Sequence, residues 1–280
     1  MTETTFRWNL DAVDWARIDP DAVSAPLLAA VKTAALVEAN SADYVKYLHN
    51  VFQGDDAFCA AASQWGREEA QHGAALGRWA CLVDPDFDFA AALARFQADY
   101  RLPLDVSDSV RGSRAGELLA RCVVEAGTCS YYSALRDRTR EPVLRQICHF
   151  IAQDEAHHYR LFHDHCRRYP PLARWRRLRI ALGRVAETGD DELGRAWYSA
   201  NLAGLGEVPP YSRAACAGDY QAIVTALYDE RHVRTAVHMI AFAIGARPGS
   251  RVARWCGNAG WWWLRRRTPV HVPEAVGAAA

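Results

Sequence analysis

The chain has 280 residues, half of them apolar, and its 33 basic residues are balanced by 33 acidic ones. That length suffices for one substantial core with extra helices around it, and a formal charge of zero removes any global electrostatic drive toward nucleic acid. Eight cysteines run from Cys59 to Cys256 without a CxxC pair, which argues against a zinc ribbon, a rubredoxin-type iron site or a disulfide framework.

The first residues, Met1 to Trp15, carry acids where an export signal needs basic residues and then an apolar run, so residues 1–20 read as an arm and a cytoplasmic location is expected. Strand signals are nearly absent, and the expected fold class is all-α. A first helix is expected over about Asp21 to Phe52 and a second, after Gly54-Asp55, over about Asp55 to Val83, closed by Asp84-Pro85. A third is expected over about Ser113 to Arg138, and a fourth, opened by Glu141-Pro142 and ended by Pro170-Pro171, over about Glu141 to Tyr169. Two connections are short, whereas Asp84 to Gly112 is a long crossover. Residues 21–170 therefore form the expected core. Residues 171–250 read as additional helices, including two shorter stretches, a GEVPP loop at Gly206 to Pro210 and a long helix from about Asp219 to Ile244; residues 251–280 form an Arg/Trp-rich tail. The longest charge-free apolar runs, such as Thr235 to Ala246, are too short to span a bilayer.

Four helices supply a repeated pattern. Residues three apart share a helix face, so Glu69 with His72, and Glu155 with His158, each present a carboxylate and an imidazole together. Glu38 lies 31 residues before Glu69 and Glu125 lies 30 before Glu155, which puts one more Glu on the other helix of each hairpin. All six fall on apolar stripes: Glu38 with Val31, Ala35 and Ala42; Glu69 and His72 with Trp65 and Leu76; Glu125 with Leu118 and Cys122; Glu155 and His158 with Ile151 and Phe162. Four buried carboxylates each cost several kcal/mol unless compensated, and two divalent ions would neutralise four negative charges. Oxygen and imidazole donors suit iron or manganese. A single Glu-x-x-His pair is common on solvated helices; two pairs with two matched Glu and a crossover are specific.

Those residues carry a family resemblance. Gln64-Trp-Gly-Arg-Glu-Glu-Ala-Gln-His-Gly73 resembles the W-x-x-E-E-x-x-H-G segment of the soluble acyl-carrier-protein desaturases, Asp154-Glu-Ala-His-His158 their D-E-x-x-H, and Glu125-x-x-Thr128 their E-x-x-T, over about residues 25 to 165. The resemblance implies a ferritin-like four-helix bundle with one long crossover and additional C-terminal helices. It implies two iron ions held by Glu38, Glu69, His72, Glu125, Glu155 and His158, dioxygen as co-substrate, and Thr128 as the catalytic candidate on the dioxygen side. Asp154, and less strongly Glu68, are implied as residues that hold a ligating His. The function it implies is a dioxygen-dependent oxidoreductase, desaturase-like or oxygenase, acting on an apolar acyl substrate. An external donor such as ferredoxin would supply electrons, because the chain has neither a flavin fingerprint nor an iron-sulfur cysteine set, and a homodimer is expected.

Relatives are weighed by the departures. The di-iron N-oxygenases have a third His where this chain has Ile151, and ribonucleotide reductase small subunits have a radical Tyr where it has Leu76. Aldehyde-deformylating oxygenases share the six ligands but match less well around Trp65 and Thr128. Bacterioferritin-like iron stores are shorter chains. A hydroxylase, N-oxygenase or aldehyde-deformylating enzyme of a secondary metabolite, and an iron store, remain the alternatives.

Two further features stand apart. Arg167 to Arg179 contains six Arg and no acid; Arg174, Arg176 and Arg177 are candidate contacts for an acidic acyl carrier protein, against the plainer reading of a solvated face. Trp261 to Trp263 followed by Arg265 to Arg267 suggests either a docked tail or contact with a membrane surface or partner. Tyr228-Asp-Glu-Arg-His232 echoes the iron motif, but Glu230 and His232 do not share a face.

Overall fold

Small and apolar residues at helical spacing become helices throughout, and no strand occurs among the described residues. The structure is a computed structural model describing residues 6–187, 191–204, 208–247 and 249–267. The start of the arm, Gly206 and Glu207 of the GEVPP loop, and the tail from residue 268 lie outside the described residues.

The first expected helix is two: α1 (Ala25–Ala39) and α2 (Ser41–Val51), separated at Asn40, whose φ of −86° and ψ of 20° leave the helical region. Asn competes with helical hydrogen bonding through its own side chain, and the amide of Asn40 bonds to Val37 O three residues back, tightening the turn. The chain then returns as α3 (Asp56–Val83), started by Asp55, whose carboxylate accepts from Phe58 N. The crossover is not simply a loop: α4 (Phe89–Asp99) occupies its first half, capped by Asp88 on Ala91 N. Next come α5 (Arg114–Arg138), capped by Ser113 on Gly116 N, and α6 (Pro142–Cys166), capped by Glu141 on Val143 N and Leu144 N.

The remaining helices are α7 (Arg174–Ala186), α8 (Asp191–Asn201), α9 (Arg213–Leu227), α10 (Glu230–Ala243) and α11 (Arg251–Arg267). The long helix expected from Asp219 to Ile244 is thus interrupted. Asp229 is extended there and its amide donates to His232 Nδ1 at 3.0 Å, so the Asp-Glu-Arg-His run is a helix start. His232 Nε2 meets Asp137 at 3.0 Å, which occupies both ring nitrogens.

Two antiparallel hairpins face each other. In one, α1 and α2 run against α3, with Ala39 opposite Gly73 and Ser41 Oγ donating to Gly66 O. In the other, α5 runs against α6, and α3 joins the hairpins by packing on α6. Helices α8 and α9 cover α1, α7 and α10 cover α5, and α11 folds back on α10. One apolar cluster, including Leu36, Leu76, Leu135 and Ile151, fills one end; another, including Leu48, Phe58, Leu118 and Phe162, fills the other. The six candidate ligands lie on the four helices between these clusters, so burial of both ends encloses them.

Candidate metal centre

Glu38 stands in the last turn of α1, Glu69 and His72 in α3, Glu125 in α5, and Glu155 and His158 in α6. All six are buried, none more than 8% exposed. They form two overlapping sets, Glu38, Glu69, His72 and Glu155, and Glu69, Glu125, Glu155 and His158; in each, one donor atom per residue lies within 4.8 Å of all the others. Glu69 and Glu155 belong to both. His72 Nδ1 is 3.5 Å from Glu38, 4.0 Å from Glu69 and 3.4 Å from Glu155. His158 Nδ1 is 3.0 Å from Glu69, 3.6 Å from Glu125 and 3.9 Å from Glu155.

The hydrogen bonds around this cluster sort its atoms into outer and inner ones. His72 Nε2 is 3.1 Å from Asp154, and His158 Nε2 is 2.7 Å from Glu68. Each acid precedes the central Glu of one hairpin and holds the imidazole of the other. A carboxylate on Nε2 fixes the proton there and leaves Nδ1 as a free lone pair in the neutral ring. Tyr132 donates to Glu38 Oε1 at 2.5 Å and Thr128 to Glu155 Oε2 at 2.6 Å. What remains is a set of buried atoms that no group outside the ring satisfies and that face only one another, His72 Nδ1 toward Glu38 Oε2 and Glu155 Oε1, and His158 Nδ1 toward Glu69 Oε1. Buried polar atoms left unpaired cost about 1–3 kcal/mol each, and five belonging to one ring of side chains fit a pair of cations.

Without cations the cluster neutralises itself with protons. Burial, reinforced by Glu155 and Glu38, pushes the Glu69 carboxyl well above the usual range. Burial and the charge of Glu155 push Glu125 up to about 8. Burial would depress both imidazoles, but Asp154, Glu155 and Glu38 hold His72 well above its ordinary value, and Glu125, Glu155 and Glu68 do the same for His158. Burial also opposes ionisation of Glu155, yet the two imidazoles keep it well below the carboxylate range. Outside the ring, His72 and His158 outweigh burial to lower Asp154 and Glu68 respectively. Divalent ions would displace these protons, as metal binding to acids and imidazoles generally does.

Several residues at the site lie outside the expected set. Trp8, in the arm, stacks on His72 with ring planes 7° apart and donates to Asp154 at 2.7 Å, while Arg7 approaches the same carboxylate at 3.4 Å. Gln64 steadies Glu68 at 2.8 Å. Tyr132 lay on the α5 stripe seven residues after Glu125, where a buried phenol needs a partner; that requirement was the one available clue.

None of the arginines singled out in the sequence belongs to this centre. All three begin α7. Arg176 donates to Gly112 O and Arg177 to Leu172 O, each at 2.9 Å, so both anchor local backbone, while Arg174 is exposed. No helix among the described residues is long and apolar enough to cross a membrane. No protein-family model matches the chain, and no curated protein matches it.

Proposed function

We propose that this protein is a non-heme di-iron, dioxygen-dependent oxidoreductase of the desaturase-like or oxygenase kind, built on a ferritin-like bundle and acting on an apolar acyl substrate. The observation that carries the reading is the buried ring of four carboxylates and two imidazoles whose inner atoms face only one another in one enclosure. Glu38, Glu69, His72 and Glu155 would hold one iron, and Glu69, Glu125, Glu155 and His158 the other. When bound, two irons supply the electrons and the Lewis acidity that dioxygen reduction requires.

The chain's own residues position and protect. Asp154 and Glu68 keep the Nε2 protons of His72 and His158 in place, so Nδ1 faces inward. Tyr132 occupies one oxygen of Glu38 and Thr128 one oxygen of Glu155, which leaves the other oxygen of each facing the ring. Thr128 also keeps a hydroxyl proton at the edge of the cluster, hydrogen-bonded to Glu155, where it can be donated as charge develops. The two apolar clusters exclude water, which strengthens every charge interaction between them. Electrons come from an external donor of ferredoxin type in this reading.

The test is to supply iron-loaded, reduced protein with dioxygen and a cell extract, and to identify the product by mass spectrometry. An apolar acyl compound altered by loss of two hydrogens or gain of oxygen supports the reading. Accumulation of many irons per chain without any product assigns the protein to iron storage instead.

A further inference from the structure

We propose that α7 and α11 form a docking surface for an anionic membrane face, on which both helices lie without crossing it.

A surface helix ordinarily turns its apolar stripe inward. Helix α7 turns one outward. Trp175, Leu178, Leu182 and Val185, spaced three, four and three residues apart, share one side, with Trp175 65% and Leu182 61% exposed. The opposite side is already used, since Ile180 packs on Leu119 and Ala120 of α5. Helix α11 repeats the arrangement: Trp255 and Trp262, seven apart, are 69% and 55% exposed, while Gly257 and Gly260 face Arg234, Val233 and Val237 of α10. Both helices border α10, α11 along Val233, Arg234 and Val237 and α7 at the opposite end. Ile180 packs beside Ala243 and Ile244, Arg177 reaches Gly245, and Phe242, itself exposed, lies at the same end.

Charge selects the occupant. Each of the two helices carries five Arg and no acid, although the whole chain is neutral. A second copy would bring the same positive charge to the same place. An acidic protein would match the arginines but not two outward apolar stripes, whereas an anionic lipid surface matches both. The side chains also suit headgroup depth, because guanidinium groups lie over the tryptophan rings, Arg266 at 3.7 Å from the Trp262 centroid and Arg179 at 5.5 Å from that of Trp175. Basic amphipathic helices with Trp on the apolar side insert at that boundary.

The experiment is flotation of the full chain with phosphatidylcholine vesicles, with and without phosphatidylglycerol. The protein should float only with the anionic vesicles, with a blue shift of tryptophan emission, and added salt should weaken binding. Each arginine near such a surface is worth about fivefold in partition, so Arg174→Glu with Arg179→Glu should lower binding by more than tenfold. Trp175→Glu with Leu182→Glu should lower it by at least tenfold. All four side chains are at the surface, and circular dichroism should be unchanged. The proposal is overturned if the chain does not float, or if it floats equally well after the apolar pair is replaced. It is also overturned if, in the absence of vesicle binding, these substitutions abolish a concentration-dependent dimer or the binding of an acidic carrier protein.

Discussion

Gly73 sits beside His72 where α3 passes close to Ala39 of α1, and its replacement by Ala puts that approach to the test. A Cβ there would lie 2.5 Å from Ala39 N and 2.7 Å from Ala39 Cα and Cβ. Ordinary contact needs about 3.5–4.0 Å, so the helices must part by roughly 1 Å. Two effects oppose each other. Ala is favoured over Gly in a helix interior by about 1 kcal/mol, while overpacking costs about 1–3 kcal/mol. The clash here is with backbone, which cannot swing aside, so overpacking takes the upper part of its range, about 2–3 kcal/mol, and the metal-free variant should lose about 1–2 kcal/mol net. Because Ala39 adjoins Glu38, the separation also opens the 3.5 Å approach of Glu38 to His72. Iron should therefore be lost first from the set containing those two residues. Urea denaturation of the metal-free protein and anaerobic ferrous titration measure the two effects. A Gly73→Ala protein as stable as the parent, with unchanged iron affinity, would refute the packing argument.

Asp154→Ala should weaken iron binding about 10–100-fold, since His72 loses the group that fixes its ring, and Glu68→Ala should do the same through His158; equilibrium dialysis distinguishes this from no effect. Thr128→Val should keep its iron while dioxygen consumption slows or separates from product formation, and unaltered coupling would remove Thr128 from the reaction. The metal-free protein should melt at lower temperature as pH rises from neutral toward 9. The reason is one of sign: Glu125, raised to about 8, together with Glu69, His72 and His158, all raised, is more protonated folded than unfolded, so stability present at low pH is lost as each deprotonates. Glu155, lowered instead, contributes stability that is lost only on acidification, well below this window. Bound iron should flatten the slope, and a melting temperature that does not change with pH in the metal-free protein would contradict the proton inventory.

The four helices that carry the site were legible because ligand spacing and apolar periodicity pointed to the same faces. Glu38, Glu69, His72, Glu125, Glu155 and His158 converge because each lies on a stripe that the core must bury. The break at Asn40 has no Gly or Pro to mark it, and its only signal is the Asn40-Ser41 pair, two residues that favour caps and turns over a helix interior. Helix α4 was hidden by its place between Pro85 and Pro103, although Asp88 before an alanine-rich run is a sound start signal. At Tyr228 and Asp229 the apolar pattern continues across a gap that only Asp229 betrays. Trp8 carried no signal at all. It reaches Asp154 from 146 residues away along the chain, and a single contact of that kind leaves no period to read.

The central claim is that one buried ring holds two irons, and anaerobic titration with ferrous iron, followed by elemental analysis and Mössbauer spectroscopy, tests it most directly. The account predicts two ferrous ions per chain in oxygen and nitrogen coordination, both diminished in Glu69→Ala and Glu155→Ala because those carboxylates belong to both sets. A parent chain that binds no iron, or one whose iron content is the same after either substitution, would contradict it.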